Sequence, residues 1–338
     1  MSDLNTDNNQ TNMGVQGMGT NKRFPKILII VVVGVLIIGG LAWGYSSGIF
    51  NFLGINKNTS NNNVPAVTLP PLTEAQKPET AQAPEGMVYV PEGEYLSGAP
   101  NQEVKKWPEQ KIYLDSFSID KHEVTKAQFQ EFISSHSDWQ KSLINKSLAY
   151  REYLSDFNGN VAPSDKLDHP VAWVSWYAAN AYCEALGKKL PTSWQWEKAA
   201  RGTDGRIYPW GNDLTKARAN YCDTSCRMPW RDTSGDDGFS NTSPVGSFKA
   251  GISPYGAFDM AGNVLEWVAD WYDKSEEYYS HISPRNPSGP ANSTNKVLRG
   301  GGWIHNKTFV GLQSFIYFEQ EPAEVFEYVG FRCAKDVK

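Results

Sequence analysis

The chain has 338 residues and a formal net charge of −5, with 32 Lys and Arg against 37 Asp and Glu. Residues 1–86 are neutral overall, so the whole negative excess falls on residues 87–338. A mildly acidic domain lacks the basic surface that nucleic-acid binding requires, and that class of function is excluded. Residues 87–338 are enough to bury a substantial core, in one large domain or two small ones.

The N-terminal part of the chain predicts a tail followed by a membrane anchor. Residues 1–26 are polar and rich in Asn, which predicts a disordered tail. Residues 27–45 form an uncharged apolar run, and 19 residues at about 1.5 Å each cross roughly the 30 Å hydrocarbon core of a bilayer as one helix. The nearby basic residues all precede the run. The tail is therefore expected to stay in the cytoplasm, with the C-terminal domain outside.

The segment after the apolar run predicts a stalk. Residues 46–86 contain five Pro and few large apolar side chains, which is typical of a semi-extended linker. A cleaved signal peptide is the alternative to the anchor, and it would also export the domain.

The domain, residues 87–338, begins with short β-strands. Met87–Pro91 and Tyr95–Leu96 predict two strands around a Gly turn. Ile112–Leu114 and Phe117–Ile119 predict a further short strand pair. Later in the chain, short β-like pieces recur at Val297–Arg299 and near Val329.

Three helices are predicted between these strand regions, each with a side-chain cap. Thr125 and Thr192 each precede a Gln by three residues, which is the pattern of a capping box, and Ser175 caps the middle helix. Gly187 and Gly202 mark the ends of the second and third helices. After Gly202 helix signals nearly vanish. The pattern predicts an α+β fold, irregular and loop-rich, and such long loops need disulfides, metal or buried Trp to order them.

All four Cys lie in the exported part of the chain, where disulfides are expected. Cys222 and Cys226 are close enough to close a small loop, which leaves Cys183 with Cys333. A metal site is the alternative. The five His show no spacing that completes a Cys/His zinc set, so two disulfides are favoured.

A series of motifs spanning the domain resembles the formylglycine-generating-enzyme, or sulfatase-modifying factor, family. That family has a variant of the C-type lectin fold, so the resemblance implies a C-type-lectin-like domain. Its enzymes also bond the Cys of the second helix to the Cys of the terminal Gly-Phe-Arg-Cys, which implies Cys183–Cys333. The motifs that carry the resemblance are Met87–Gly93, Phe117–Thr125, His169–Trp176, Gly187–Thr192, Trp194–Glu197, Tyr208–Asn212, Ser243–Gly246, Asp259–Trp267, Arg299–Trp303 and Gly330–Arg332.

The resemblance also implies two structural calcium sites, one on the 220–239 loops and one on the 259–266 segment. Each would combine side-chain oxygens with backbone carbonyls, a mixture that suits the irregular coordination of calcium. The alternative is that these acidic residues only cap turns. The implied ligands are the Asn220 and Asp237 side chains with the Tyr221 and Phe239 carbonyls, then the Asp259 and Glu266 side chains with the Gly262 and Val264 carbonyls.

The sequence departs from the family at the catalytic positions. Family enzymes oxidise a substrate Cys with O₂ and a copper ion held by two thiolates, which soft copper requires. Here His305 and Val310 occupy the two thiolate positions, and Gly302 occupies that of the active-site Ser. No copper and no formylglycine-generating activity are therefore expected. The five His are also too scattered to support the three-His iron site of the family's sulfoxide synthases.

Residues 303–328 would lie over the former active-site face and are rich in aromatic side chains. We expect a surface for an unknown protein or glycan ligand, as in the variable proteins of diversity-generating retroelements, which this arrangement resembles. The alternative is that part of the segment forms a core strand. A second class of function, an enzyme of the same family with altered chemistry (a protein-modifying or non-haem metal oxidase), also stays open. The candidate surface residues are Trp303, His305, Phe309, Phe315 and Tyr317.

Overall fold

The computed structural model describes residues 83–100, 108–214, 218–307 and 310–337, all within one compact unit, Gln76–Lys338. The predicted tail, the predicted transmembrane run and nearly all of the predicted stalk lie outside the described residues. Within those ranges, no helix has the length and apolar character needed to cross a bilayer. The predicted anchor therefore stays a prediction.

Nine short strands lie in two groups within the described ranges, four before residue 121 and five after residue 264. They are β1 (Met87–Val90), β2 (Gly93–Ser97), β3 (Gln110–Leu114), β4 (Phe117–Asp120), β5 (Leu265–Trp271), β6 (Lys296–Arg299), β7 (Tyr317–Gln320), β8 (Val329–Phe331) and β9 (Ala334–Asp336). They form sheets in the orders β1–β4–β9, β2–β3 and β7–β6–β5–β8. All the pairings are antiparallel except β5 with β8.

The first four strands are found where the sequence predicts them, but β3 and β4 do not pair with each other. Instead β1 pairs with β4, and β2 with β3. Two-residue hairpin turns need positive φ, which Gly and Asn supply. The links Pro91–Glu92 and Asp115–Ser116 contain neither, and none of their residues has positive φ. The chain therefore crosses between two sheets at each link.

The predicted helices are confirmed, together with their caps. They are α1 (Lys126–Ser135), α2 (Trp176–Ala185) and α3 (Ser193–Arg201), and a short α4 (Glu276–Ser280) follows. Thr125 and Thr192 each form a complete capping box, and the Ser175 side chain accepts from the backbone of Ala178. Apart from α4, the described chain after Gly202 contains only 3₁₀ turns as helix.

The four-stranded sheet separates two apolar cores. One core joins α1 and α2 to β5 and β8, with Phe129, Tyr182, Trp267 and Phe331 fully or nearly fully buried. The other surrounds α3 and the β1–β4 sheet. Both predicted disulfides form: Cys183–Cys333 ties α2 to the chain between β8 and β9, and Cys222–Cys226 closes a small loop. The disulfides and the buried aromatic side chains together order long loops that have little regular structure.

Candidate functional site

The segment after β6 carries the positions that correspond to the family's catalytic residues. The backbone N–H of Gly262 donates to the Gly300 carbonyl at 2.9 Å, and that of Trp303 donates to the Asn263 carbonyl at 2.8 Å. Gly300 and Gly301 have positive φ, at 92° and 67°, a conformation that glycine adopts without strain. The segment is thus held tightly against the 262–263 turn.

Gly302 has little room for a larger residue. A Cβ at this position would lie 3.1 Å from the backbone nitrogen of Leu265 and 3.3 Å from the backbone oxygens of Asn263 and Tyr328. Backbone atoms cannot swing aside as a flexible side chain can. The Ser found here in the family's enzymes would therefore require the surrounding backbone to shift.

His305 stands at the first thiolate position and is built into the protein as a neutral side chain. Its Nδ1 accepts a hydrogen bond from the backbone N–H of Gly302 at 3.0 Å, and its ring stacks on Phe318 with the centroids 5.0 Å apart. Burial lowers the pKa of His305 to about 4. A neutral imidazole whose Nδ1 already accepts a hydrogen bond is suited to packing inside the protein.

The protein has no thiolate pair to offer a copper ion. The chain contains four Cys, all lie in the described ranges, and each is in a disulfide. Val310, at the second thiolate position, begins a 3₁₀ turn, Val310–Leu312. Soft copper sites require thiolate or thioether ligands, and the residues present at these two positions do not fit such an ion.

The first predicted calcium set has the features expected of a cation site. Asp237 accepts backbone hydrogen bonds from Tyr221 and Phe239, both at 2.8 Å. Burial, with the charge of Asp223 nearby, raises the pKa of Asp237 to about 6. The Asn220 side chain is buried, and its Oδ1 has no hydrogen-bond partner among the described residues. The orphaned oxygen belongs to the residue directly before Tyr221, whose backbone N–H binds the Asp237 carboxylate. Oxygen atoms of this kind suit a hard cation, so these residues could hold calcium.

The carboxylates of the second predicted calcium set already accept hydrogen bonds from other residues of the protein. Glu266 is fully buried and accepts two hydrogen bonds from the Arg332 guanidinium, both at 2.7 Å, and a third from Trp196 at 2.8 Å. Asp259 accepts the backbone N–H of Gly246 at 2.6 Å, and burial raises its pKa to about 6. The Arg332 charge already neutralises Glu266, whereas no direct ion pair to Asp259 is found within the described ranges.

The structure adds Glu123 to this second set, a residue that the sequence analysis did not single out. Glu123 is buried, and the charge of Asp259 adds to burial in raising its pKa. Its Oε1 has no partner within the described residues, while its Oε2 accepts from Asn263 at 3.2 Å. Glu123 is far from Asp259 in sequence, so only the fold brings them together.

A cation at either place would depend on more than acidic side chains. Across the ranges that the structure describes, no set of three or more His, Cys, Asp or Glu side chains forms a metal centre. Backbone carbonyls and amide oxygens would have to complete the shell, which calcium accepts and copper or iron does not favour. Calcium stays a prediction at both places.

The predicted ligand surface is corrected at two of its residues. Trp303 is only 3% exposed and Phe315 only 1%, so both side chains pack inside the protein. Phe315 and Ile316 form a small core with Ala99, which agrees with the core-strand alternative more than with an aromatic surface. Tyr317 is half-buried against Tyr272 and Tyr279. Phe309 lies outside the described residues.

Comparison with known proteins identifies relatives across the whole domain. The model of the sulfatase-modifying factor enzyme 1-like domain matches residues 73–337. The formylglycine-generating enzyme of Thermomonospora curvata is 30% identical over 294 residues, covering 74% of this chain and 93% of the enzyme. The serine/threonine-protein kinase pkn1 of Chlamydia pneumoniae is 34% identical over 269 residues, covering 78% of this chain but only 40% of the kinase. This chain therefore spans about two fifths of that relative's length.

A solved structure shows the same fold. PvdO from Pseudomonas aeruginosa superposes with a TM-score of 0.57 and 21% identity, covering 74% of this chain and 94% of PvdO. At that identity the likeness concerns the fold and carries no information about activity.

Proposed function

We propose that this chain, which belongs to the sulfatase-modifying factor enzyme 1-like domain family, is a ligand-binding module of that family that does not generate formylglycine. The observation that carries the proposal is the state of its cysteines, since all four are held in disulfides. Copper-dependent oxidation needs two free thiolates in the active site, and a disulfide sulfur is not a thiolate.

Two further features support the loss of oxidase chemistry. His305 at the first thiolate position is held neutral, with its Nδ1 bonded to the Gly302 backbone. Gly302 is hemmed in by backbone atoms at the position of the family's Ser. The local structure is therefore adapted to packing around these residues, and restoring one catalytic group would not restore the site.

The proposal places the domain outside the cytoplasm, on a single membrane anchor. The support is the uncharged run at residues 27–45 with basic residues only before it. The two disulfides agree with an oxidising compartment. Bound calcium would give the C-type-lectin-like loops the rigidity that a binding surface needs, through Asn220 and Asp237 at the first site and Asp259 at the second.

The test is an oxidase assay on the full-length chain in detergent micelles. A cysteine peptide that the Thermomonospora curvata enzyme converts serves as substrate, and that enzyme, loaded with copper, is the positive control. We expect no aldehyde product by mass spectrometry and no oxygen consumption above the background without protein. Aldehyde formation would contradict the proposal and support an enzyme with altered chemistry.

A further inference from the structure

One exposed loop carries charged and aromatic groups that the fold does not use. Residues 227–231, Arg-Met-Pro-Trp-Arg, follow directly on the Cys222–Cys226 disulfide; we call them the Arg-Trp-Arg loop. Trp230 is 45% exposed, and among the strongly exposed large apolar side chains of the described ranges it is the only tryptophan. Arg227 and Arg231 on either side of it are also exposed.

The two arginines of this loop are not used in contacts with the rest of the described chain. In the described part of the chain, neither guanidinium has an ion pair or a side-chain hydrogen bond. Elsewhere arginine is paired with a carboxylate repeatedly, as at Arg201, Arg206, Arg285, Arg299 and Arg332. Two free guanidiniums beside an exposed indole form a cationic, aromatic tip on a domain whose overall charge is negative.

The loop is held in place although it is exposed. The indole N–H of Trp230 donates to the carbonyl of Ile304 at 2.9 Å, and the Asn306 side chain donates to the Trp230 carbonyl. Lys307 forms an ion pair with Asp232 at 2.6 Å, just after the loop. Binding to such a preorganised loop costs little conformational entropy. Because the indole N–H already donates to Ile304, stacking on the ring is the contact that Trp230 has left to offer a ligand.

We propose that the Arg-Trp-Arg loop binds an anionic glycan, with the Trp230 ring stacked on a sugar face and Arg227 and Arg231 paired with carboxylate or sulfate groups. A planar guanidinium matches such groups through two parallel hydrogen bonds. A protein partner would need a broad patch with an apolar centre. The exposed residues next to the loop are instead polar, namely Thr224, Thr233, Ser234 and Asp236, and the Asp236 carboxylate already accepts hydrogen bonds from Ser225 and Gly238. With no apolar surround in this stretch, a narrow, charged polymer is the better fit.

This inference rests on the proposed function and gives its unidentified ligand a chemical class. The test measures binding of the full-length chain, in detergent micelles, to surfaces coated with heparin or polygalacturonate. Neutral dextran is the blank and poly-L-glutamate represents an acidic polypeptide. We expect heparin or polygalacturonate to bind, with an affinity that falls as salt is raised, because exposed ion pairs are screened.

The variants identify the loop as the site. R227Q/R231Q weakens binding by about fivefold for each arginine, the contribution of one exposed ion pair. W230A also weakens binding, whereas W230F, which keeps a ring face, retains most of it. R151Q is the matched control for charge, since Arg151 is exposed and lies in another segment. Y150A is the control for an exposed aromatic. Both controls bind as the wild type does.

Two results would overturn the proposal. One is glycan binding that is absent or that the loop variants do not reduce more than R151Q does. The other is equal or tighter binding to poly-L-glutamate, which would indicate an acidic polypeptide as partner. Either result leaves the oxidase assay unaffected, so failure of this inference is distinguishable from failure of the proposed function. Near-ultraviolet circular dichroism of each variant confirms that the domain has folded.

Discussion

Removing the Cys183–Cys333 disulfide should destabilise the domain far more than removing Cys222–Cys226. The two bridges differ mainly in the length of chain they close, with sequence separations of 150 and 4. In the chain-entropy account, closing the longer loop raises the free energy of the denatured chain by about 5 kcal/mol at 25 °C, and closing the shorter loop raises it by roughly 2 kcal/mol. The expected difference in free energy of unfolding is therefore about 3 kcal/mol.

The matched pair of variants is C183A/C333A and C222A/C226A, which remove the same atoms from buried positions. For a domain of this size, about 2 °C in Tm corresponds to each kcal/mol. We expect the first variant to melt about 10 °C and the second about 4 °C below the wild type. Near-ultraviolet circular dichroism of the full chain in micelles follows the loss of fixed Trp packing, since eleven of the twelve Trp lie in residues 87–338.

The outcome that refutes this reasoning is equal destabilisation, or a larger loss for the short bridge. Either would mean that Cys222–Cys226 stabilises through native contacts, such as its packing with Trp303, and not through the length of the loop. Mass spectrometry of non-reduced peptides checks in parallel that the remaining bridge of each variant is intact.

Two further predictions concern charged groups inside the domain. R332M leaves the Glu266 carboxylate buried without its partner ion, and it should lower the free energy of unfolding in urea by about 3–5 kcal/mol. R285M, which removes an exposed ion pair, should lower it by at most about 1 kcal/mol. Equal losses would contradict the role given to burial. Burial lowers the pKa of His305 to about 4 in the folded chain. Between about pH 6.5 and pH 4 the imidazole is therefore protonated in the unfolded chain but neutral in the folded chain. Protonation favours the unfolded state, so the free energy of unfolding decreases as the pH falls through that range. H305Q should reduce the pH dependence of unfolding in that range, leaving the part due to His122, whose pKa burial also lowers to about 4. H281Q, at an exposed position, should change the profile less than H305Q does. Identical profiles for H305Q and the wild type would refute the burial argument.

The parts of the fold that local chemistry determines are predictable from the sequence. Both capping boxes form as predicted because a Thr and the Gln three residues later satisfy each other's backbone groups within a single turn. The disulfide pairing followed from counting four Cys, together with the family resemblance. The positions of β1 to β4, β6 and β8 were also predicted, because short runs of apolar and β-branched residues mark them, whereas β5, β7 and β9 were not.

What the sequence did not reveal depends on contacts between distant segments. The pairing of β1 with β4 is set by how two sheets pack, whereas the sequence shows only where each strand begins and ends. Glu123 meets Asp259 only because the chain folds back on itself. The aromatic run that includes Phe315 looked like a surface, but composition alone does not tell which side of a loop faces inward.

The most direct test of the central claim is to measure metals and thiols on the full-length chain purified without added metal. Elemental analysis and a thiol titration under denaturing conditions give the content per chain. The account predicts calcium, no stoichiometric copper or iron, and no free thiol, since four Cys form two disulfides. One redox metal per chain, lost on changing His305→Ala, would contradict the account and establish a metal-dependent enzyme in place of a binding module.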